Sequence, residues 1–216
     1  MPENSVGSRS QILGRIQTAL KKPSPSLPEV ALPPIFAAVN NPLERFQQEC
    51  ALIQVECVLT SDLAGSRAAI EKTLGSVPAG EVFLQDAPEL KKIAEGWSVQ
   101  RPLRWSSQGP PPETTQATVT LAEALVALTG SVLTSAACGG RGASIVPDCH
   151  IVLAKAEQIV PDLETALAQV VERGTAKTNS YVGLITGSSR TADIEKILVL
   201  GAHGPRRLVV IVQKQS

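Results

Sequence analysis

Hydrophobic and polar positions along this chain switch between a helical spacing and strict alternation, and the switches outline its elements. Between Ser8 and Lys21, the residues Ile12, Leu13, Ile16 and Leu20 share one helical face, which predicts an amphipathic helix. Ser8 or Ser10 can cap it, Lys21 and Lys22 suit the negative end of its dipole, and Pro23 stops it. Residues 23–34 hold five prolines and should run extended. Residues 1–40 therefore read as an N-terminal helical arm on a Pro-rich linker, and 41–216 as one α/β domain.

From Asn41, the stripe Leu43, Phe46, Cys50 and Ile53 predicts a helix with Pro42 in its first turn. Val55, Cys57 and Leu59 then alternate as a strand. Ser61 or Asp62 can cap a helix that ends at Gly75. Glu81 to Gln85 reads as a short strand, and Asp86 caps a short helix closed by Gly96. The pattern breaks between Gln100 and Gln116, around Gly109-Pro110-Pro111-Pro112, where a lid and a disordered loop are both open readings. Thr120-Leu-Ala-Glu123 has the form of a capping box and predicts a helix carrying Leu121, Leu125 and Leu128. Ser131–Ser135 and Ile151–Ala154 read as strands around a Gly-rich turn, and Pro161 opens a helix that Gly174 ends. Two apolar runs between Tyr181 and Gln213, with a segment of helical character between them, read as a closing βαβ unit. This rhythm predicts an α/β fold, a three-layer sandwich with a mostly parallel sheet.

Composition narrows the function classes. The chain has 216 residues, enough for one full α/β core. Aromatic residues make up only 3%, so that core must be mostly aliphatic. Twenty basic and twenty acidic residues cancel, which gives no electrostatic case for nucleic acid or anionic lipid. Neither a signal-peptide pattern nor a bilayer-spanning apolar run is visible, so no membrane span is expected and the expected location is the cytoplasm. Cys50, Cys57, Cys138 and Cys149 form no C-x-x-C pair, and His150 and His203 lie far apart, so no local metal or iron–sulfur motif is read.

Three segments carry candidate chemistry. In the first, Gly187-Ser188-Ser189-Arg190-Thr191 should join a strand to a helix N-terminus. There the hydroxyls, the unpaired amides and Arg190 would hold an anion, with Asp193 in the first helical turn. The same residues also suit an ordinary N-cap with a surface ion pair. In the second, His203 lies between Gly201 and Gly204, a setting for a general acid or base or for a loop imidazole on a carbonyl, and Arg206 or Arg207 adds charge nearby. In the third, Thr129-Gly130-Ser131 and Gly139-Gly140-Arg141-Gly142 allow close backbone approach to a ligand, or are surface turns. His150 reads as a core histidine. No P-loop or dinucleotide fingerprint is present.

The run Ile185-Thr-Gly-Ser-Ser-Arg-Thr-Ala-Asp-Ile-Glu195, followed by Gly201-Ala-His-Gly-Pro-Arg206, resembles the C-terminal signature of the LUD domain family. Thr129-Gly130-Ser131, Gly140-Arg141, Pro147 and His150-Ile151 fall in that family's order. The resemblance spans roughly residues 40 to 213. It implies a fold similar to the NagB/RpiA/CoA-transferase group and a role in oxidising L-lactate to pyruvate. It also implies partner subunits that carry the iron–sulfur clusters, with no cofactor or metal on this chain. Leu128 stands where the family commonly has an acidic residue, and Ser188 where it often has proline. Two functions stay open at this point. One is a non-iron–sulfur subunit of a lactate-oxidising system that binds a small carboxylate or phosphate. The other is a self-sufficient enzyme acting on a sugar phosphate or CoA ester.

Overall fold

The computed structural model describes residues 5–21, 36, 38–192, 198–201 and 203–214. The predicted Pro-rich linker and Asp193 lie outside the described residues. The chain divides into two units, Met1–Ala37 and Ala38–Ser216. The first contains α1 (Ser5–Leu20), whose Ile12, Leu13, Ile16 and Leu20 are exposed.

The second unit is built on a six-stranded sheet in which every neighbouring pair is parallel. Its strands are β1 (Glu56–Thr60), β2 (Val82–Leu84), β3 (Leu103–Trp105), β4 (Ala117–Leu121), β7 (Cys149–Lys155) and β12 (Arg207–Gln213), in the order β1-β12-β7-β4-β2-β3. A parallel sheet is buried on both faces, so its strands are apolar throughout rather than alternating. On one face, Val209, Ile211, Ile151, Leu153, Val119 and Leu84 pack against α3 (Leu63–Gly75) and α4 (Pro88–Ala94) through Ile70, Leu74, Leu90 and Ile93. On the other, Leu208, Val210, Val212, Val152 and Ala154 meet α2 (Pro42–Leu52) and a second sheet.

That second sheet has four strands in the order β8-β5-β6-β9: β5 (Ala124–Val126), β6 (Ser131–Ser135), β8 (Ile159–Val160) and β9 (Val182–Ile185). Leu125 and Val132 face the large sheet, while Ala124, Val126 and Leu133 face α5 (Leu163–Glu172) through Ala166 and Val170. The α/β class with a mostly parallel central sheet therefore holds, and strands share the layer over its second face with α2. Of the predicted cap pair Ser61 and Asp62, Asp62 caps α3, and Asn41 and Asp162 cap α2 and α5 in the same way, each side chain accepting a backbone N–H bond. Asp86 does not cap α4. Ala87 takes that position, and the Asp86 carboxylate pairs with Lys91 at 2.5 Å. Among the described residues, no helix is long and apolar enough to cross a membrane.

Three predicted elements differ. The stretch 100–116, read as a loop, carries β3, which pairs with β2, and a 3-10 turn at Ser106–Gln108. The expected helix from Thr120 is instead the end of β4 and the whole of β5. Thr120 is not a cap because its hydroxyl lies 2.8 Å from His150 Nε2, and the Glu123 carboxylate accepts from Ser135 Oγ at 2.5 Å. Ala124–Val126 is buried on both sides, so its apolar run carries no strand alternation to distinguish it from helix. The closing βαβ unit is also overturned. Its first strand, β9, pairs antiparallel with β6, whereas β12 belongs to the large sheet. Between them, β10 (Arg190–Ala192) and β11 (Leu198–Leu200) pair antiparallel as a small hairpin, where a helix was expected to begin near Thr191.

His150 is 1% exposed, on β7 between β12 and β4. Burial depresses its pKa to about 4, because nothing beside it compensates a positive charge. A neutral buried His stabilises the fold above the ordinary pKa near 6.5, and that contribution is lost as pH falls from there towards 4. Urea unfolding at pH 7 and pH 4.5 should therefore show a loss of roughly 2 kcal/mol from this group. His150→Gln should flatten the dependence in that window; an equal slope in both proteins would assign the acid sensitivity elsewhere.

Candidate functional site

The donor-rich turns near the C-terminus rest on the end of α2. That helix closes in a Schellman pattern: the Val55 N–H donates to Cys50 O, the Gln54 N–H to Ala51 O, and Gln54 takes a left-handed φ of 59°. The carbonyl of the C-cap residue Ile53 is left over, and the Arg190 guanidinium donates to it. The same nitrogen reaches Gln54 Oε1 at 3.1 Å. Arg190 thus places positive charge at the negative end of a helix, the opposite of the expected anion site at a helix N-terminus.

The neighbouring groups are similarly engaged. The Ser189 N–H donates to Pro205 O at 2.8 Å, the Gly201 N–H to Ser189 O at 3.0 Å, and the His203 N–H to Ser189 Oγ at 3.4 Å. Gly187 needs its φ of 82° to turn the chain beside Ile53 O. Ser188 is half-buried and His203 exposed. Arg206 lies 3.9 Å from Asp148, and Arg207 forms a bidentate pair with Glu56 that holds that carboxyl below its usual range.

Thr129-Gly130-Ser131, the turn between β5 and β6, joins this cluster. Ser131 Oγ lies 2.7 Å from both Thr129 Oγ1 and Thr186 Oγ1. A Cβ on Gly130 would sit 3.0 Å from the Cys50 backbone nitrogen. The structure therefore brings 129–131, 186–190 and 203–206 together around the end of α2. Gly140 and Arg141 are not part of that group, because they follow the far end of β6, roughly 13 Å along the strand.

Gly140 and Arg141 instead border a cleft of 350 Å³ lined by Ser106, Gly109, Pro111, Gly139 and Gly142. Its position follows from topology. From β2 the chain leaves through α4, over one face of the sheet; from β4 it leaves through β5 and β6, over the other. Adjacent strands whose connections part in this way form a switch point, the usual ligand crevice of an open α/β sheet. Gly139 has a φ of 87°, and a Cβ there would press on Phe83 of β2 at 3.2 Å. Gly140, with a φ of 82°, faces open space. The Arg141 side chain is exposed and makes no hydrogen bond or ion pair among the described residues. It is a cation beside a concave surface, with its fork of donors open.

Behind the cleft lies a polar group that sequence reasoning missed. Glu123 accepts from the buried Ser135, Cys138 Sγ lies 3.9 Å from the same carboxylate oxygen, and Asn179 Oδ1 accepts from the Ala137 N–H at 2.8 Å. Burial pushes the Cys138 thiol above its ordinary pKa, so it is a protonated core thiol. A signal was available, since Glu123 is the only charged residue between Thr114 and Gly140. Among the described residues, no group of three or more His, Cys, Asp or Glu could hold a metal ion.

The two turn glycines should separate in mutagenesis. Gly140→Ala meets only the cost of a left-handed residue, about 1 kcal/mol. Gly130→Ala adds a backbone collision and should cost roughly 3 kcal/mol or more in urea unfolding. Equal losses would mean that 129–131 does not pack on α2 as described.

Comparison with known proteins follows these features. The LUD domain model matches residues 113–212, from just before β4 to the end of the last strand. Over 96% of its length the chain is 28% identical to the uncharacterized protein YkgG of Escherichia coli (strain K12), covering 98% of that protein. It is 27% identical to lactate utilization protein C of Geobacillus thermodenitrificans and 24% identical to that of Bacillus subtilis (strain 168), covering 98% of both chains in each case. A crystal structure of a DUF162 family protein from Deinococcus radiodurans superposes with a TM-score of 0.62 at 22% identity, over 79% of this chain and 95% of that one, and shows the same fold. Across residues 113–212, with both glycine turns and the hairpin that follows β9, this chain is similar to the LUD domain family.

Proposed function

We propose that this chain works in the utilization of lactate, as a subunit that binds a small carboxylate beside Gly140 and Arg141. Relatives named lactate utilization protein C, matched along almost their full length, support the metabolic role. The observation that carries the ligand site is the cleft at the switch point between β2 and β4, with the Arg141 guanidinium, unpaired among the described residues, at its rim. A planar guanidinium pairs bidentately with a carboxylate, and small residues lining the cleft leave room for a compact hydroxy or keto acid. Oxidation of L-lactate to pyruvate releases two electrons and two protons. In this reading the electrons pass to iron–sulfur clusters on partner subunits, and the chain described here positions the acid.

Within the same proposal, Arg190, Gly187 and Gly130 fix the end of α2, and Ser189 ties their turn to the one that carries His203. His203, exposed in the single chain, is the group they would offer to a proton transfer in the assembled system.

Thermal denaturation against L-lactate, pyruvate, inorganic phosphate, sugar phosphates and CoA tests the reading. A carboxylate at one hundred times its dissociation constant should add about 2.7 kcal/mol of stability. Arg141→Ala should abolish the shift, whereas Arg190→Ala should lower the starting stability and keep it. A shift with a sugar phosphate or CoA alone would favour a self-sufficient enzyme. Lactate oxidation by the purified chain without partners would sink the subunit role.

A further inference from the structure

The edge strand β3 brings a second arginine to the cleft. It pairs with β2 in a register that sets Arg104 opposite Phe83, so the two side chains share one face of the sheet. Leu103 and Trp105, on either side of Arg104, pack with the core on the other face, under α3 and α4. Phe83 lies under the Gly-rich segment, since a Cβ on Gly139 would come within 3.2 Å of its ring. Arg104 is therefore one strand further out on the face that Gly139 covers. Beyond β3, the turn Ser106–Gln108 carries the chain to Gly109, where φ is 111° and a Cβ would lie 3.7 Å from Arg104 Nη2. Ser106 and Gly109 line the cleft together with Gly140 and Arg141. One bordering segment thus has Arg104 at its back, and the other carries Arg141.

Little of the Arg104 guanidinium is committed. Arg101, three residues earlier, spends its fork on the carbonyls of Leu74, Val77 and Pro78. Arg104 donates one bond, from Nη2 to Gln108 O at 3.3 Å, and its Nε is buried without a partner. Among the described residues no carboxylate pairs with it. Asp86, whose N–H donates to Ser106 Oγ at 2.9 Å, has its own carboxylate on Lys91. Among the described residues none that lines the cleft is acidic. A buried donor left open, and two cations without counter-charges beside one concave surface, favour a ligand that supplies the missing anions. At 350 Å³ the cleft is also in the size class that holds drug-sized ligands, larger than a three-carbon acid requires.

Given the reading that Arg141 holds a carboxylate, on which this step rests, we infer that the cleft is a two-anion site. It takes a hydroxy or keto acid whose carboxylate pairs with Arg141 and whose second anionic group, a carboxylate or a phosphate, pairs with Arg104.

Calorimetric titration of the full chain with L-lactate, L-malate and 3-phosphoglycerate tests this. L-malate is the same 2-hydroxy acid with a second carboxylate, and 3-phosphoglycerate carries a phosphate in that place. At least one of the two should bind roughly tenfold or more tightly than L-lactate and displace it. A gain with L-malate alone makes the second group a carboxylate, and a gain with 3-phosphoglycerate alone makes it a phosphate. Arg104→Gln should collapse the ratio of that acid's affinity to that of lactate to about one, and Arg104→Lys, which keeps the charge, should restore part of it. A general loosening of the fold lowers both affinities and leaves the ratio alone. A ratio near one in the unmutated chain, or one that Arg104→Gln does not change, would overturn the two-anion site, while lactate binding lost in Arg141→Ala would leave the Arg141 reading standing. Binding that survives Arg141→Ala, or no binding of any of the three acids, would overturn that reading and the two-anion site together.

Discussion

Burial of β12 on both faces is the constraint on which this fold depends. Its run Leu208–Val212 is apolar at every position and lies between two parallel neighbours, β1 and β7. Such a strand cannot face water on either side. One face is met by α3 and α4. The other requires α2 and the four-stranded sheet, and that sheet, apolar on its own far side, requires α5 in turn. Each layer therefore exists to cover the one before it. The chain runs out of need only at α5, whose Leu167 and Val171 stay exposed.

The cover changes character away from β12. Over β4 and β2 the second face is met by the Gly-rich segment after β6, whose one regular piece is the short 3-10 turn Arg141–Ser144, rather than by an α-helix. Irregular backbone brings carbonyls that must be satisfied when buried. The sheet answers with hydroxyls: Thr118 donates to Ala143 O at 2.7 Å, and Thr120 pairs with the neutral ring of His150. Polar residues on this part of the sheet are thus the counterpart of loop cover. Loops pack with gaps where helices do not, so the same change of cover leaves the cleft beside Gly139 and Gly140.

Much of this was legible in the sequence, where local signals act without competition. Asp62 caps α3 as the sequence predicts, because a side chain three residues from its N–H partner needs nothing distant. In the large sheet β1, β2, β7 and β12 were legible as apolar runs, whereas β3 lies in the stretch 100–116 that reads as a loop and the end of β4 reads as the start of a helix. Legibility failed where a residue had two possible partners and the distant one won. Thr120 and Glu123 have the local form of a capping box, but His150 and Ser135 take them. The segment after β9 has helical composition at its start, yet Arg190–Ala192 pairs with Leu198–Leu200 as a hairpin. Burial on both faces also erased the alternation that would have marked β5 as a strand.

The family-like signature at 186–190 shows why a donor-rich turn is ambiguous. Hydroxyls, amides and a guanidinium satisfy an orphaned carbonyl as readily as they satisfy an anion, because both present lone pairs to the same donors. Geometry decides between them. Arg190 lies on Ile53 O, and Ser189 bridges the backbone of 201–205, so the chemistry of that turn closes the end of α2. Arg141 has the same charge and, among the described residues, no hydrogen-bond or ion-pair partner, so of the two arginines it is the one placed at the proposed ligand site. The turn that most resembles a binding motif is tied through Arg190 to the end of α2.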